Sequence, residues 1–152
     1  MIHRVELELG GRTLSLETGK VAKQADAAVW VQYGESIVLV TVVSDRTRDE
    51  RRDFLPLMVD YRERMYAAGR IPGARLRREG PPSEKETLSG RQVDHAIRPL
   101  FPKDYLYETQ VMIMILSTDM ENDADLLGLI GASAALHISD VPYDGPLSAA
   151  RI

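Results

Sequence analysis

With 152 residues and a formal net charge of −4, the chain is long enough to bury one core. Its charge excludes a uniformly basic nucleic-acid coat, so any grip on a polyanion must be local. It has no cysteine, which removes disulfides and thiol chemistry from consideration, and no apolar run reaches the roughly 18–20 residues of a membrane span. Met1 is not followed by a signal-peptide pattern, so the cytoplasm is the expected compartment.

Ile2 to Leu9 tends to alternate, with Val5, Leu7 and Leu9 apolar, and Thr13 to Glu17 does likewise with Leu14 and Leu16 inward. Gly10-Gly11 between them predicts a hairpin turn. A third strand is expected over Gln24 to Tyr33 and a fourth over Ser36 to Val43, joined at Gly34-Glu35. The run IVLVTVV within the fourth is apolar enough to be covered on both faces. Four strands with short connections predict an antiparallel sheet. Asp45 to Asp53 interleaves acids and arginines, which predicts a solvated loop or short helical turn without a clean positive field. Phe54 to Tyr66 returns to strand patterning, with Leu57, Val59, Tyr61 and Met65 apolar.

The stretch from Ala67 to Pro102 joins a basic loop to a two-sided helix. Arg70, Arg75, Arg77 and Arg78 stand near a single acid, Glu79, among glycines and prolines that disfavour regular pairing. Such a loop fits a polyanion grip and fits a solvated surface loop equally. Ser83 followed by Glu84 and Glu86 predicts a helix start. At about 100° per residue, Arg91, Asp94, His95 and Arg98 share one face, with Val93, Ala96, Ile97 and Leu100 on the other. By itself that polar quartet reads first as a salt-bridged surface. Pro99 kinks or closes the helix and Pro102 ends it.

Thr109 to Leu116 predicts a buried strand, and Asn122 or Asp123 a cap for a second helix over about Ala124 to Ile138. Gly128 and Gly131 cost that helix about 1 kcal/mol each relative to alanine, so close packing on a sheet must offset them. No dinucleotide-type or phosphate-loop glycine spacing is present. Asp119, Glu121, Asp123 and Asp125 read as capping residues at a strand end and helix start rather than as metal ligands. His137 reads as a packed or surface residue. Pro142 to Pro146 is a turn, and Leu147 to Ile152 is expected to begin a strand.

GRIPG, RREG, PSEKETL and IRPLFP, with DFLPLMVDYRERMYAAG before them and IGASAAL and PYDGPLSAAR after, resemble the first core domain of the polynucleotide phosphorylase family, relatives of RNase PH. The resemblance spans nearly the whole chain. It implies an α+β, RNase PH-like βαβ domain over 1–152: a mixed, largely antiparallel sheet with helices packed on it, incomplete at its C-terminus. It further implies part of a phosphorolytic 3′-to-5′ exoribonuclease, a polyribonucleotide nucleotidyltransferase that converts RNA and inorganic phosphate reversibly to nucleoside diphosphates in mRNA degradation.

In that family the phosphate cradle and Mg site belong to a second core domain, so no catalytic or metal-binding residue is expected in this chain, which alone is expected to be inactive. The first core domain handles single-stranded RNA in a homotrimeric ring, with RNA-degradation complexes as further partners. The implied RNA-binding residues are Arg75, Leu76, Arg77, Arg78, Arg91, His95 and Arg98. Three departures stand out. Arg75-Leu76 occupies the place of two phenylalanines, and His95-Ala96 and Pro81 replace Arg-Pro and an arginine. Stacking is worth roughly 1–3 kcal/mol per base, so a grip without those rings rests more on phosphate contacts and salt. Alternatives on the same resemblance are an RNase PH or exosome-like ring subunit and a non-catalytic RNA-binding module.

Overall fold

The computed structural model describes residues 1–48, 53–73 and 80–151 of the chain. Its first four strands form a meander: β1 (His3–Leu9), β2 (Arg12–Thr18), β3 (Ala27–Tyr33) and β4 (Ser36–Arg48), each antiparallel to the last. Gly10 and Gly11 take positive φ, 59° and 79°, in the mirror-image turn whose twist matches paired strands and which residues with a Cβ resist. The third strand begins at Ala27, later than expected, because Ala25 donates back to the Ala22 carbonyl in a turn.

The fourth strand is longer than expected. It continues through the charge run to Arg48, opposite Tyr107 of β6 (Tyr107–Ser117), across a register shift after Ser44. Asp45, Arg46 and Thr47 keep their side chains exposed, so charge does not oppose pairing at this sheet margin. Residues 49–52 of the run lie outside the described residues.

β5 (Leu57–Glu63) lies parallel to β6 at the far edge, giving the order β1-β2-β3-β4-β6-β5. Parallel neighbours require a crossover, and α1 (Glu84–Ile97) supplies it. Met65 is not part of the strand: Met65–Ala68 form one tight turn that Gly69 closes at φ 66°. α2 (Ala124–Ile138) packs on β3, β4 and β6, and α1 packs on β5. The sheet is therefore mixed and largely antiparallel with its helices on it, the RNase PH-like arrangement the motifs imply.

Tyr61 lies beneath both helices. A Cβ at Gly90 of α1 would sit 3.6 Å from the Tyr61 Cβ, and one at Gly128 of α2 would sit 3.5 Å from its ring. At Gly131 a Cβ would fall 2.6 Å from Val40 Cγ2, so the glycines of α2 do admit the close packing their helix cost called for. The sheet face away from the helices is not covered among the described residues, contrary to the reading of β4. There Leu39 and Thr41 are half-buried and Val43 is exposed.

The tail also departs from expectation. Residues 142–151 form no strand; instead the Leu147 N–H donates to Ser133 Oγ of α2 at 2.6 Å, and Arg151 pairs with Asp123 and Asp125. Side chains of α2 and its flank hold this segment where a ladder would otherwise be needed.

Candidate nucleic-acid interface

The two-sided helix begins as its sequence predicts. Ser83 caps α1, its Oγ accepting from the Glu86 N–H at 3.2 Å, while Glu86 Oε2 accepts from the Ser83 N–H at 2.6 Å. This capping box satisfies two amides that would otherwise lack helical partners. Glu86 reaches further: its Oε1 accepts from the N–H of Glu63, the last residue of β5, at 2.8 Å. One carboxylate thus fastens the helix start to the strand end. Partial burial raises the Glu86 pKa, but the amides of Ser83 and Glu63 outweigh it and hold the group below its ordinary range.

Glu63 collects a second set of partners. Lys85 Nζ lies 2.8 Å from its Oε1, and the buried Tyr61 hydroxyl donates to the same oxygen at 2.9 Å. The bond to Glu63 pushes the Lys85 ammonium up, and burial, then Glu63, push the Tyr61 hydroxyl up. On the other side of the seam the Thr118 N–H of the segment after β6 donates to the Ala67 carbonyl, and Arg70 N–H to Met65. The basic loop is therefore anchored on both sides by described residues. Arg75, Leu76, Arg77 and Arg78 themselves lie outside the described residues.

Along α1 the expected polar face is present. Val93 and Ile97 are buried, Arg91 and His95 are exposed, and Asp94 and Arg98 are half-buried. Arg91, His95 and Arg98 border a groove of about 510 Å³ between the helix and the free edge of β5. Gly90 lets the helix lie close there, its Cβ position being 3.4 Å from the Val59 carbonyl oxygen.

The three side chains differ in what occupies them. Arg98 Nε and Nη2 bond Asp94 at 3.0 and 2.6 Å, while Nη1 and Nη2 donate to the carbonyls of Leu55 and Leu57 at 3.1 and 3.2 Å. Its guanidinium thus straps the turn after α1 to the segment leading into β5. Among the described residues, no hydrogen bond or ion pair engages the head of Arg91 or the ring of His95. The same groove is also lined by Asp60, Glu86 and Asp94.

The acids near α2 are committed elsewhere. Asp119 accepts from the N–H groups of Glu121 and Asn122, the Asn122 amide and the Ser36 hydroxyl, and stands 3.8 Å from Arg12. Burial raises its pKa, yet those hydrogen bonds outweigh burial and hold it far below the carboxylate range. Arg12 takes Glu121 at 2.6 Å, and Arg151 takes Asp123 and Asp125. Asp123 occupies the N-cap position of α2 without capping it, a correction to the helix-cap reading: a guanidinium outcompetes the helix amides for its oxygens. Among the described residues no group of three His, Asp or Glu side chains is placed to hold a metal ion, and these paired acids do not fit one. His137 is exposed on α2.

Sequence reasoning named Glu86 only as a first-turn acid and missed its bond to β5. The Ser-x-x-Glu spacing signals the capping box, but nothing local signals Glu63. Asp119 as a hub was missed likewise, because Ser36 and Arg12 are distant in sequence.

A family model described as 3′ exoribonuclease family, domain 1, matches residues 10–142. A polyribonucleotide nucleotidyltransferase of Rhodopseudomonas palustris is 58% identical over 151 residues, which is 99% of this chain and 21% of that protein. One of Nitrobacter hamburgensis is 57% identical over 150 residues with the same coverage. The chain thus spans about a fifth of the length of these relatives. Among solved structures, an Archaeoglobus fulgidus exosome with RNA bound to its active site superposes with a TM-score of 0.65 at 18% identity, covering 96% of this chain and 57% of that one.

Proposed function

The chain belongs to the 3′ exoribonuclease family, as domain 1, and from that membership we propose that it is the RNA-channelling part of a polyribonucleotide nucleotidyltransferase. In the full-length enzyme, phosphate attacks the 3′-terminal phosphodiester phosphorus, the bond to the preceding 3′ oxygen breaks, and a nucleoside diphosphate leaves. The reverse step polymerises. Those catalytic groups lie outside this chain. A divalent ion such as Mg, when bound in the second core, would neutralise charge at the reacting phosphorus. Three copies would form the ring through which the strand passes.

The observation that carries the reading is a pair of groups, Arg91 and His95, unengaged among the described residues and set on a groove that Pro82, in the described segment following Arg75–Arg78, also lines. A guanidinium and an imidazole N–H set along a groove contact a phosphate backbone without reading bases. Arg98 belongs to the same surface and holds it in shape. The RNase PH or exosome-like alternative draws on the exosome superposition, and sequence at more than half identity to nucleotidyltransferases favours the first reading.

Binding of fluorescent oligo(A), titrated with salt, tests the proposal against a variant carrying Arg75→Phe and Leu76→Phe. The added rings are expected to raise affinity roughly tenfold and to make binding less steeply salt-dependent. Equal affinities and slopes would reject the stacking argument, and no binding by either chain would reject RNA channelling by this segment. Incubation of the chain with poly(A) and phosphate is expected to release no ADP; steady release would place catalysis within it.

A further inference from the structure

We propose that His95 is a proton switch on RNA binding: the groove beside α1 grips phosphate when the His95 ring is protonated and weakens as the ring gives up that proton. The inference rests on the RNA reading and adds to it a regulation by pH. His95 and Arg91 are both exposed, stand one turn apart on the same face of α1, and border the groove at the free edge of β5. Residues four apart on a helix bring their Cβ atoms within about 5–6 Å, so one phosphate can meet both heads.

The charges that face the ring come from two elements. On α1 they are Glu86, Arg91, Asp94 and Arg98; on β5 they are Asp60 and, through it, Arg62. Arg62 Nε lies 2.8 Å from Asp60, Arg98 holds Asp94, and Glu86 accepts from the amides of Ser83 and Glu63. Three carboxylates thus stand against three guanidiniums. The Tyr61 hydroxyl, pushed up by burial, is neutral. Among the described residues the groove is therefore balanced when His95 is neutral, and it carries net positive charge only when His95 is protonated. A phosphodiester entering the neutral form meets one guanidinium in a field of no net sign. Entering the protonated form, it meets two charged donors in a field that attracts it.

No other group in the chain is set to do this. Carboxylates and guanidiniums ordinarily keep their charge between about pH 6 and 8, and without cysteine only imidazoles and the amino terminus ordinarily change theirs there. The chain has three histidines. His3 and the amino terminus lie at the β1 edge, at the opposite end of the sheet from β5, and His137 lies on α2, which does not line the groove. A bound phosphate favours the imidazolium over the neutral ring, so binding draws in a proton. By linkage, affinity must then rise as pH falls and decline as pH rises.

The test is the affinity of the full chain for oligo(A) from about pH 6 to about pH 8 at fixed ionic strength. The oligonucleotide lacks terminal phosphates and carries a dye that does not titrate in this range. The parent is expected to bind about three- to tenfold more tightly at the acid end. His95→Arg fixes the charge and should bind at every pH at least as tightly as the parent does at its best. His95→Gln removes the charge and should bind at every pH about as weakly as the parent does at its worst. His137→Gln should keep the parent's pH dependence. Calorimetry near neutral pH, in buffers of different ionisation enthalpy, adds a second readout: the parent should take up a fraction of a proton on binding and His95→Arg none. A parent whose affinity is flat across the range, or variants at position 95 that keep the pH dependence, would overturn the switch and leave RNA binding standing. No binding at any pH, by the parent and by His95→Arg alike, would reject the RNA reading and the switch with it.

Discussion

At the scale of single residues, Arg91 and Arg98 present the same chemical group from one helix face and do different work. The Arg98 fork is filled by one carboxylate and two main-chain carbonyls. Removing it strands those acceptors and frees the segment before β5. Arg98→Ala is therefore expected to lower stability by about 1–2 kcal/mol, the scale of charge-assisted bonds at a half-exposed site. Arg91 makes no bond among the described residues, so with Arg91→Ala stability should stay within about 0.5 kcal/mol. The change should instead weaken oligo(A) binding several-fold and reduce the salt slope by about one counterion. Urea melts beside binding titrations separate the two. An Arg98→Ala chain as stable as the parent would deny the strap, and an Arg91→Ala chain with unchanged salt slope would remove Arg91 from the interface.

At the scale of elements, α2 depends on having nothing at two positions. A Cβ at Gly131 would lie 2.6 Å from Val40 Cγ2 and 2.8 Å from Val31 Cγ2, and both valines are wholly buried. β-branched side chains have little rotamer freedom with which to retreat. Gly131→Ala would gain about 1 kcal/mol in helix propensity, yet overpacking costs about 1–3 kcal/mol. The net expectation is a loss of stability, read as a lower urea midpoint. At Gly128 the nearest clash is 2.9 Å, to Ile113 Cγ2, so alanine there should cost less. A Gly131→Ala chain more stable than the parent would mean that the helix is not seated as closely as described.

The bounds of α2 were legible because a helical period, an acid at the cap position and compensated glycines all lie within one local stretch. The capping box of α1 was legible for the same reason. Legibility failed where partners are remote. That β5 would lie parallel to β6, that β4 would extend to meet Tyr107, and that the tail would lean on Ser133 all depend on pairings between separate stretches. The candidate interface divides in the same way. Helical spacing put Arg91, His95 and Arg98 on one face, but only the fold reveals that Arg98 is already engaged, by carbonyls more than forty positions away in sequence.

At the scale of the whole molecule, two carboxylates hold two separate seams of the sheet. Asp119 draws Arg12 at the hairpin, Ser36 at the start of β4 and the turn before α2 to one point. Glu86 joins α1 to the end of β5 at the opposite edge. Both are held below their ordinary pKa in the fold. A depressed carboxylate binds its proton more readily when unfolded, so the stability it supplies is full above the usual carboxylate range, about pH 4, and is lost as pH falls toward the folded value. Protonation also leaves the chain strongly positive, adding self-repulsion.

Asp119→Asn and Glu86→Gln are each expected to cost about 1–3 kcal/mol at neutral pH, where the charged acceptor matters most. Because the seams share no hydrogen-bond partner, the double variant should be additive within about 0.5 kcal/mol. The gap to the parent should narrow below about pH 4, where the parent begins to lose the same charges. Urea midpoints at fixed ionic strength, taken from neutral pH down through the carboxylate range, read this directly. A gap of constant size across that range would mean that the two groups act through shape alone, and that their charge does not bind the strands and helices of this domain together.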